Sequence, residues 1–204
     1  MARIKHSKTE LKAQKDALLR FERFLPMLQL KKQQLQAEIF SISAALAARE
    51  AEEKEHRAGL NAWIKLFCDP VDLGQLVSLR SVTTKEGNIA GVGIRILAEV
   101  NVSKTDYDLF ETPPWVDDAV AALERLIRLR VEREILEEQR RLVSAELRIT
   151  SQRVNLFEKV KIPECRENIR VIRIFLGDEQ TAGVARGKIA KRRASADGGE
   201  ERAA

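Results

Sequence analysis

The chain has 204 residues and a net charge of +5, and 33% of its residues are charged against only 5% aromatic. So few large side chains argue against one thick globular core and for long two-faced helices, each burying a narrow stripe. No run approaches the roughly 18 consecutive apolar residues of a membrane helix. Residues 1–5 lead into polar sequence with no secretory h-region, so a cytoplasmic chain, at most peripheral to a membrane, is expected.

Residues 5–66 read as one long helix. Its apolar residues fall at Leu11, Leu18, Phe21, Leu25, Leu28, Leu35, Ile39, Ile42 and Leu46. With Lys32 filling one slot, the steps from Leu18 onward alternate between three and four, which is a heptad seam. The seam turns polar at Arg49, Glu53 and His56, then resumes at Leu60, Trp63 and Phe67. Pro26 removes a backbone donor inside this helix and should kink it without ending it. Asp69-Pro70 closes it.

Residues 67–115 change period. Val92, Ile94, Ile96, Ala98, Val100 and Val102 alternate with mostly polar neighbours, as a strand does. Val77 and Leu79 begin a weaker strand, and Lys85-Glu86-Gly87-Asn88 between them reads as the turn of a β-hairpin.

Thr112-Pro113-Pro114-Trp115 opens a second long helix over 116–180, with Asp117 and Asp118 suited to the positive end of the helix dipole. The inner face reads as Val120, Leu123, Ile127, Val131, Ile135, Leu142, Ala145, Ile149, Leu156 and Val160. Pro163 interrupts this pattern and Gly177 ends it. Residues 181–204 form a basic tail containing Arg186, Lys188, Lys191, Arg192 and Arg193, expected to be disordered and dispensable for folding.

The expected fold is mainly α: two long helices in an antiparallel coiled coil, with a small β-hairpin insert. Folding back about residues 66 and 116 sets Pro26 opposite about residue 156 and Pro163 opposite about residue 19, so that both kinks fall at one level. Leu25 and Leu28 then face residues 154–157. Each arm of roughly 60 residues would span about 90 Å.

The sequence offers no catalytic constellation, and no metal or cofactor is expected. His6 and His56 have no second ligand at metal spacing. Gly91-Val92-Gly93 sits inside a strand and lacks the third glycine of a dinucleotide fingerprint; a bulge or a close backbone approach is the better reading. No phosphate-binding GxxxxGK[ST] loop is present. Cys68 and Cys165 read as free thiols.

Several segments resemble the D subunit of V/A-type ATPases. They are Lys8-Thr9-Glu10-Leu11, then the run from Arg20 to Gln36 through Phe24-Leu25-Pro26-Met27, then Asn88-Ile89-Ala90-Gly91-Val92, Thr112 to Asp117, and Arg153 to Pro163. They occur in the family's order. The resemblance implies a non-catalytic central-stalk subunit that carries torque between a catalytic head of A and B subunits and an ion-translocating membrane ring. It also implies lateral binding of the F subunit and a hairpin facing the subunit that caps the ring. The sequence departs from the family's pattern after Leu176, where Gly177 to Gly183 has weak helix propensity.

Opposite the polar stretch of the first helix lie Leu126, Ile127, Leu129 and Val131. Two helices alone cannot bury so wide an apolar surface, so these four are the expected docking site of the F subunit, unless the hairpin folds back to cover them. The alternative reading of the whole chain is a coiled-coil scaffold or adaptor whose basic tail binds nucleic acid; the rotor reading expects no nucleic acid.

Overall fold

A computed structural model of the chain describes residues 5–61, 65, 71–108 and 112–200, with the last side chains described at Arg193. The expected helix end at Asp69-Pro70 and the residues Trp63, Phe67 and Cys68 lie outside them. The first helix, α1 (Lys8–Asn61), starts just after Ser7, whose side chain caps it. Ser7 Oγ accepts the Glu10 N–H at 3.2 Å, satisfying a donor that no helical carbonyl can reach. The helix runs through Pro26 without a break. A one-turn helix, α2 (Leu73–Leu76), is capped by Asp72 and leads into β1 (Val77–Ile89), which pairs antiparallel with β2 (Val92–Lys104). Then follow α3 (Trp115–Leu156), a π-helical turn (Phe157–Lys161) and α4 (Ile162–Glu200).

The hairpin turn is Ala90-Gly91, not the expected Lys85–Asn88. Both residues have positive φ, 50° and 83°, as the two-residue turns that match strand twist require. Asn88 Oδ1 accepts the Gly91 N–H at 2.8 Å. The strand therefore continues through Gly87, which pairs with Ile94, and Gly91 belongs to the turn and not to a strand. Register shifts at Arg80 and Ala98 mark two irregularities in the ladder.

The chain divides into two compact units, residues 1–29 with 152–204, and residues 30–151. In the first, α1 runs antiparallel to the end of α3, the π turn and α4. Phe21 meets Phe157 at 5.0 Å, Glu22 meets Arg166 at 2.9 Å, Gln14 meets Asn168 at 3.4 Å and His6 meets Phe175 at 4.8 Å. From Phe21 through Gln14 to His6 the partner's number rises as that of α1 falls, and the register is close to the one expected. Val154, Ile162, Cys165, Ile169 and Ile172 form the buried stripe, faced by the half-buried Leu18, Phe21, Leu25 and Leu28.

The π turn explains how Pro163 is accommodated. The Ile162 N–H reaches back to the Phe157 carbonyl, one residue further than in an α-helix. One extra residue is absorbed there, and the three-and-four stripe resumes at Ile162.

Two expectations fail in this part of the chain. The helix does not stop at Gly177, and residues 181–204 are not an irregular tail through their described part: α4 continues to Glu200. Ala, Gln, Lys and Arg there hold helical geometry despite five glycines. Val120 and Val131 of the expected inner face of α3 are buried, but around Leu142 and Ile149 the buried column lies one residue later than expected. Val143, Thr150 and Val154 are buried, whereas Ile149 and Leu156 are 42% and 44% exposed. Ala145 and Val160 are exposed too, and Leu142 is half-buried.

In the second unit the hairpin lies along the helices. Leu35, Ile42 and Leu46 of α1, Val143 of α3 and Ile94 of β2 form one core, joined by Ile39, Ile89, Ala90 and Val92. A second cluster sits at the hairpin base: Val77, Val116 and Val120, with Leu76, Val102, Trp115 and Ile127 against it.

Candidate interaction surfaces

The surfaces of this protein follow from what the hairpin covers. At its tip, Lys31 donates to Glu146 at 2.7 Å, and a Cβ on Gly91 would stand 3.8 Å from the same ammonium group. Along its length, the buried Gln139 side chain donates to the Arg95 carbonyl at 2.5 Å. At its base, Lys104 pairs with Glu124 at 2.5 Å. Hydrogen bonds from Lys104 and then Arg128 hold the Glu124 carboxyl below its usual range. The Gln139 and Lys104 contacts fix the hairpin on α3, while Lys31–Glu146 ties α1 to α3 beside the hairpin tip.

The polar interruption of the α1 seam is answered from α3. Arg49 pairs with Glu132 at 2.9 Å, Glu52 with Arg125 at 3.4 Å and Glu53 with Arg133 at 2.9 Å. Glu53 is only 6% exposed and is held by Arg57 as well, at 2.8 Å. A carboxylate this buried needs such partners, because an isolated buried charge is costly. His56, expected in the seam, is exposed.

Among the expected docking residues, Leu129 and Val131 are 1% and 7% exposed, within this chain alone. Ile127 packs against the cluster at the hairpin base, and Leu126 is half-buried. The four do not form an open apolar patch. Glu132 and Arg133, the charged partners of the seam, escape a search for apolar periodicity, although both lie between the selected Val131 and Ile135.

What stays open in this unit is a groove of about 470 Å³ under the hairpin. It is lined chiefly by Ile96, Leu97, Ile135 and Leu136, with Arg49 and Glu132 at its edge. Ile96 is 47% exposed and lies across Gly87, where a Cβ would come within 2.4 Å of the Ile96 Cδ1. Only a glycine lets Ile96 cross the opposite strand so closely.

Among the described residues no group of three or more His, Cys, Asp or Glu is arranged to hold a metal ion, and no helix is long and apolar enough to cross a membrane. Cys165 is a free thiol, and burial raises its pKa. It packs in the helix seam as a small apolar side chain.

Residues 10–192 match the family of ATP synthase D subunits. The chain is 46% identical over 191 residues to the V-type ATP synthase D subunit of Borreliella burgdorferi, covering 94% of this chain and 95% of that protein. It is 34% identical to the V-type ATP synthase D subunit of Chlamydia muridarum, covering 94% and 96%. With a family match over most of its length and relatives aligned nearly end to end, the chain belongs to the ATP synthase D-subunit family.

Proposed function

We propose that this chain is the central rotor stalk of a V-type ATPase, a non-catalytic subunit peripheral to the membrane that carries torque between a catalytic head of A and B subunits and an ion-translocating ring. The observation that carries this reading is the way the antiparallel helices are pinned. Interhelical ion pairs and ring contacts recur along both units, from His6–Phe175 to Arg125–Glu52. A shaft transmits torque only if its strands cannot slide or untwist past one another, and side chains locked across the seam oppose both motions. An asymmetric cross-section then presents different faces to fixed partners, which couples their conformations to the angle of the shaft.

A lateral partner of the F-subunit kind has a better seat at Ile96 and the groove beside it than at Leu129. Replacing Ile96 by Asp should weaken that partner while leaving the helices intact, whereas a charge at Leu129 would disturb the chain's own packing. The subunit that caps the ring would meet the hairpin base.

The decisive experiment tethers the rotor. In the assembled complex, a cysteine placed at an exposed position of α4 is crosslinked to a cysteine on the head. ATP-driven ion pumping should stop on oxidation and return on reduction. Undiminished pumping by a fully crosslinked complex sinks the rotor reading.

A further inference from the structure

The apolar seam between α1 and α3 does not fix its own alignment. Leu35 and Ile42 of α1 are seven residues apart, as are Ile39 and Leu46. On α3 the same interval separates Leu129, Leu136, Val143 and Thr150. Leu129, Val143 and Thr150 are buried, and Leu136 packs on the core. A stripe that repeats every seven residues meets an equivalent stripe again when one helix slides by seven, about 10 Å along the axis. Apolar burial therefore separates the alternative registers poorly.

One layer of the seam differs from its neighbours. Glu53 is 6% exposed, and among the described residues no other charged side chain is buried. Its carboxylate takes Arg133 from α3 at 2.9 Å and Arg57 from its own helix at 2.8 Å. Four residues earlier, Arg49 reaches Glu132 at 2.9 Å. The observed register serves both couples. Slid by seven residues one way, Glu53 would face Leu126, Arg133 would face Leu46 and Arg49 would face Arg125. Slid the other way, Glu53 would meet Arg140, but Arg133 would face Leu60 and Arg49 would face Gln139. Each slide strands the Arg133 guanidinium against a buried leucine, and a charge left unpaired in such a place is costly.

The layer is poorly built for stability. Arg133 Nε is buried without a hydrogen-bond partner, with Glu137 3.5 Å away. A buried ion pair that is incompletely satisfied gains little over apolar side chains of similar volume. It still discriminates between registers, as a polar residue in a coiled-coil seam does.

We propose that the Arg49–Glu132 and Glu53–Arg133 couples are a register lock. They select one axial alignment of α1 on α3 out of several that the apolar seam would accept. The lock is a property of this chain alone and does not depend on the rotor reading. In a rotating shaft it would keep the two helices from sliding under load.

The test maps what lies opposite a fixed point. In the full-length chain a benzophenone amino acid replaces Lys31, which meets Glu146 across the seam. The peptides it captures on illumination are identified by mass spectrometry. With the lock intact, capture should centre on Glu146; a slide of seven residues moves it to Gln139 or Arg153. Replacing the layer by leucine, with Arg49→Leu, Glu53→Leu, Glu132→Leu and Arg133→Leu together, should leave helicity unchanged and the melting temperature no lower. Capture should nevertheless spread over Gln139, Glu146 and Arg153. The second variant moves the charges instead of removing them. Arg125→Glu, Leu126→Arg, Glu132→Leu and Arg133→Leu together set the α3 couple one heptad earlier and should shift capture to Gln139. Arg130→Leu with Glu134→Leu, an exposed pair within α3, should leave capture on Glu146. Capture confined to Glu146 in the leucine variant overturns the lock. If that variant loses its helical fold, the second decides: capture on Gln139 supports the lock and capture on Glu146 overturns it. All of these outcomes leave the rotor reading as it stands.

Discussion

At the scale of single residues, burial separates side chains that look alike in sequence. Leu129 is closed off within the chain and Ile149 is not. Leu129→Ala should therefore cost about 2–5 kcal/mol in a denaturant melt, while Ile149→Ala should stay within about 0.5 kcal/mol. Glu124 gives a pH signature. Its carboxyl is depressed below the ordinary 4.5 by Lys104 and Arg128. A group whose pKa is lowered in the folded state contributes stability above its unfolded value and loses it as pH falls through the folded one. Between about pH 6 and pH 3 the unaltered chain should thus lose more stability than Glu124→Gln. Parallel melting curves for the two chains over that interval would exclude a role for this pair in holding the hairpin base.

At the scale of elements, two local devices set the geometry. Ala90 sits at φ 50° in the hairpin turn, a conformation that costs a non-glycine L-residue roughly 1–2 kcal/mol. Asparagine tolerates it far better. Ala90→Asn should slow amide exchange in β1 and β2 and raise the melting temperature, and faster exchange would show that the turn is not strained. The π turn at Phe157–Lys161 holds one residue more than an α-helical turn. Deleting Val160, which is exposed, should close it to an ordinary turn and keep Ile162, Cys165 and Ile169 in the seam. Deleting Gln152, on the other side of Val154, should shift the seam and destabilise the chain. If the two deletions prove equally harmful, the turn is not a simple one-residue insertion.

At the scale of the whole molecule, the buried cores end before the far part of α4 begins. The cores lie between Leu35 and Ile172, and nothing described after Leu176 is buried. In a denaturant melt, a chain ending at Leu176 should keep its unfolding free energy within about 0.5 kcal/mol. A large loss of stability on this truncation would mean that α4 past Gly177 contributes to a core after all.

Much of this architecture is legible in the sequence, because a heptad seam and an alternating strand state their own periods. Leu35, Ile42 and Leu46 announce the buried face of α1, Trp115 and its acidic first turn announce α3, and Val92 to Val102 announce a strand. The approximate antiparallel register follows from the lengths of the two arms. Three matters belong to the tertiary structure alone. The seam of α3 passes through Thr150 and beside Glu146, where apolar periodicity selects the neighbouring Ile149; only the facing helix decides which of two adjacent columns is covered. Ile127 reads as unpartnered along the chain because the hairpin base that packs against it is brought there by contacts distant in sequence, such as Lys104 to Glu124. The course of α4 beyond Gly177 is hidden because glycines lower local propensity without forbidding a helix. Periods and charges are local properties of a chain, whereas burial is a property of which surfaces meet.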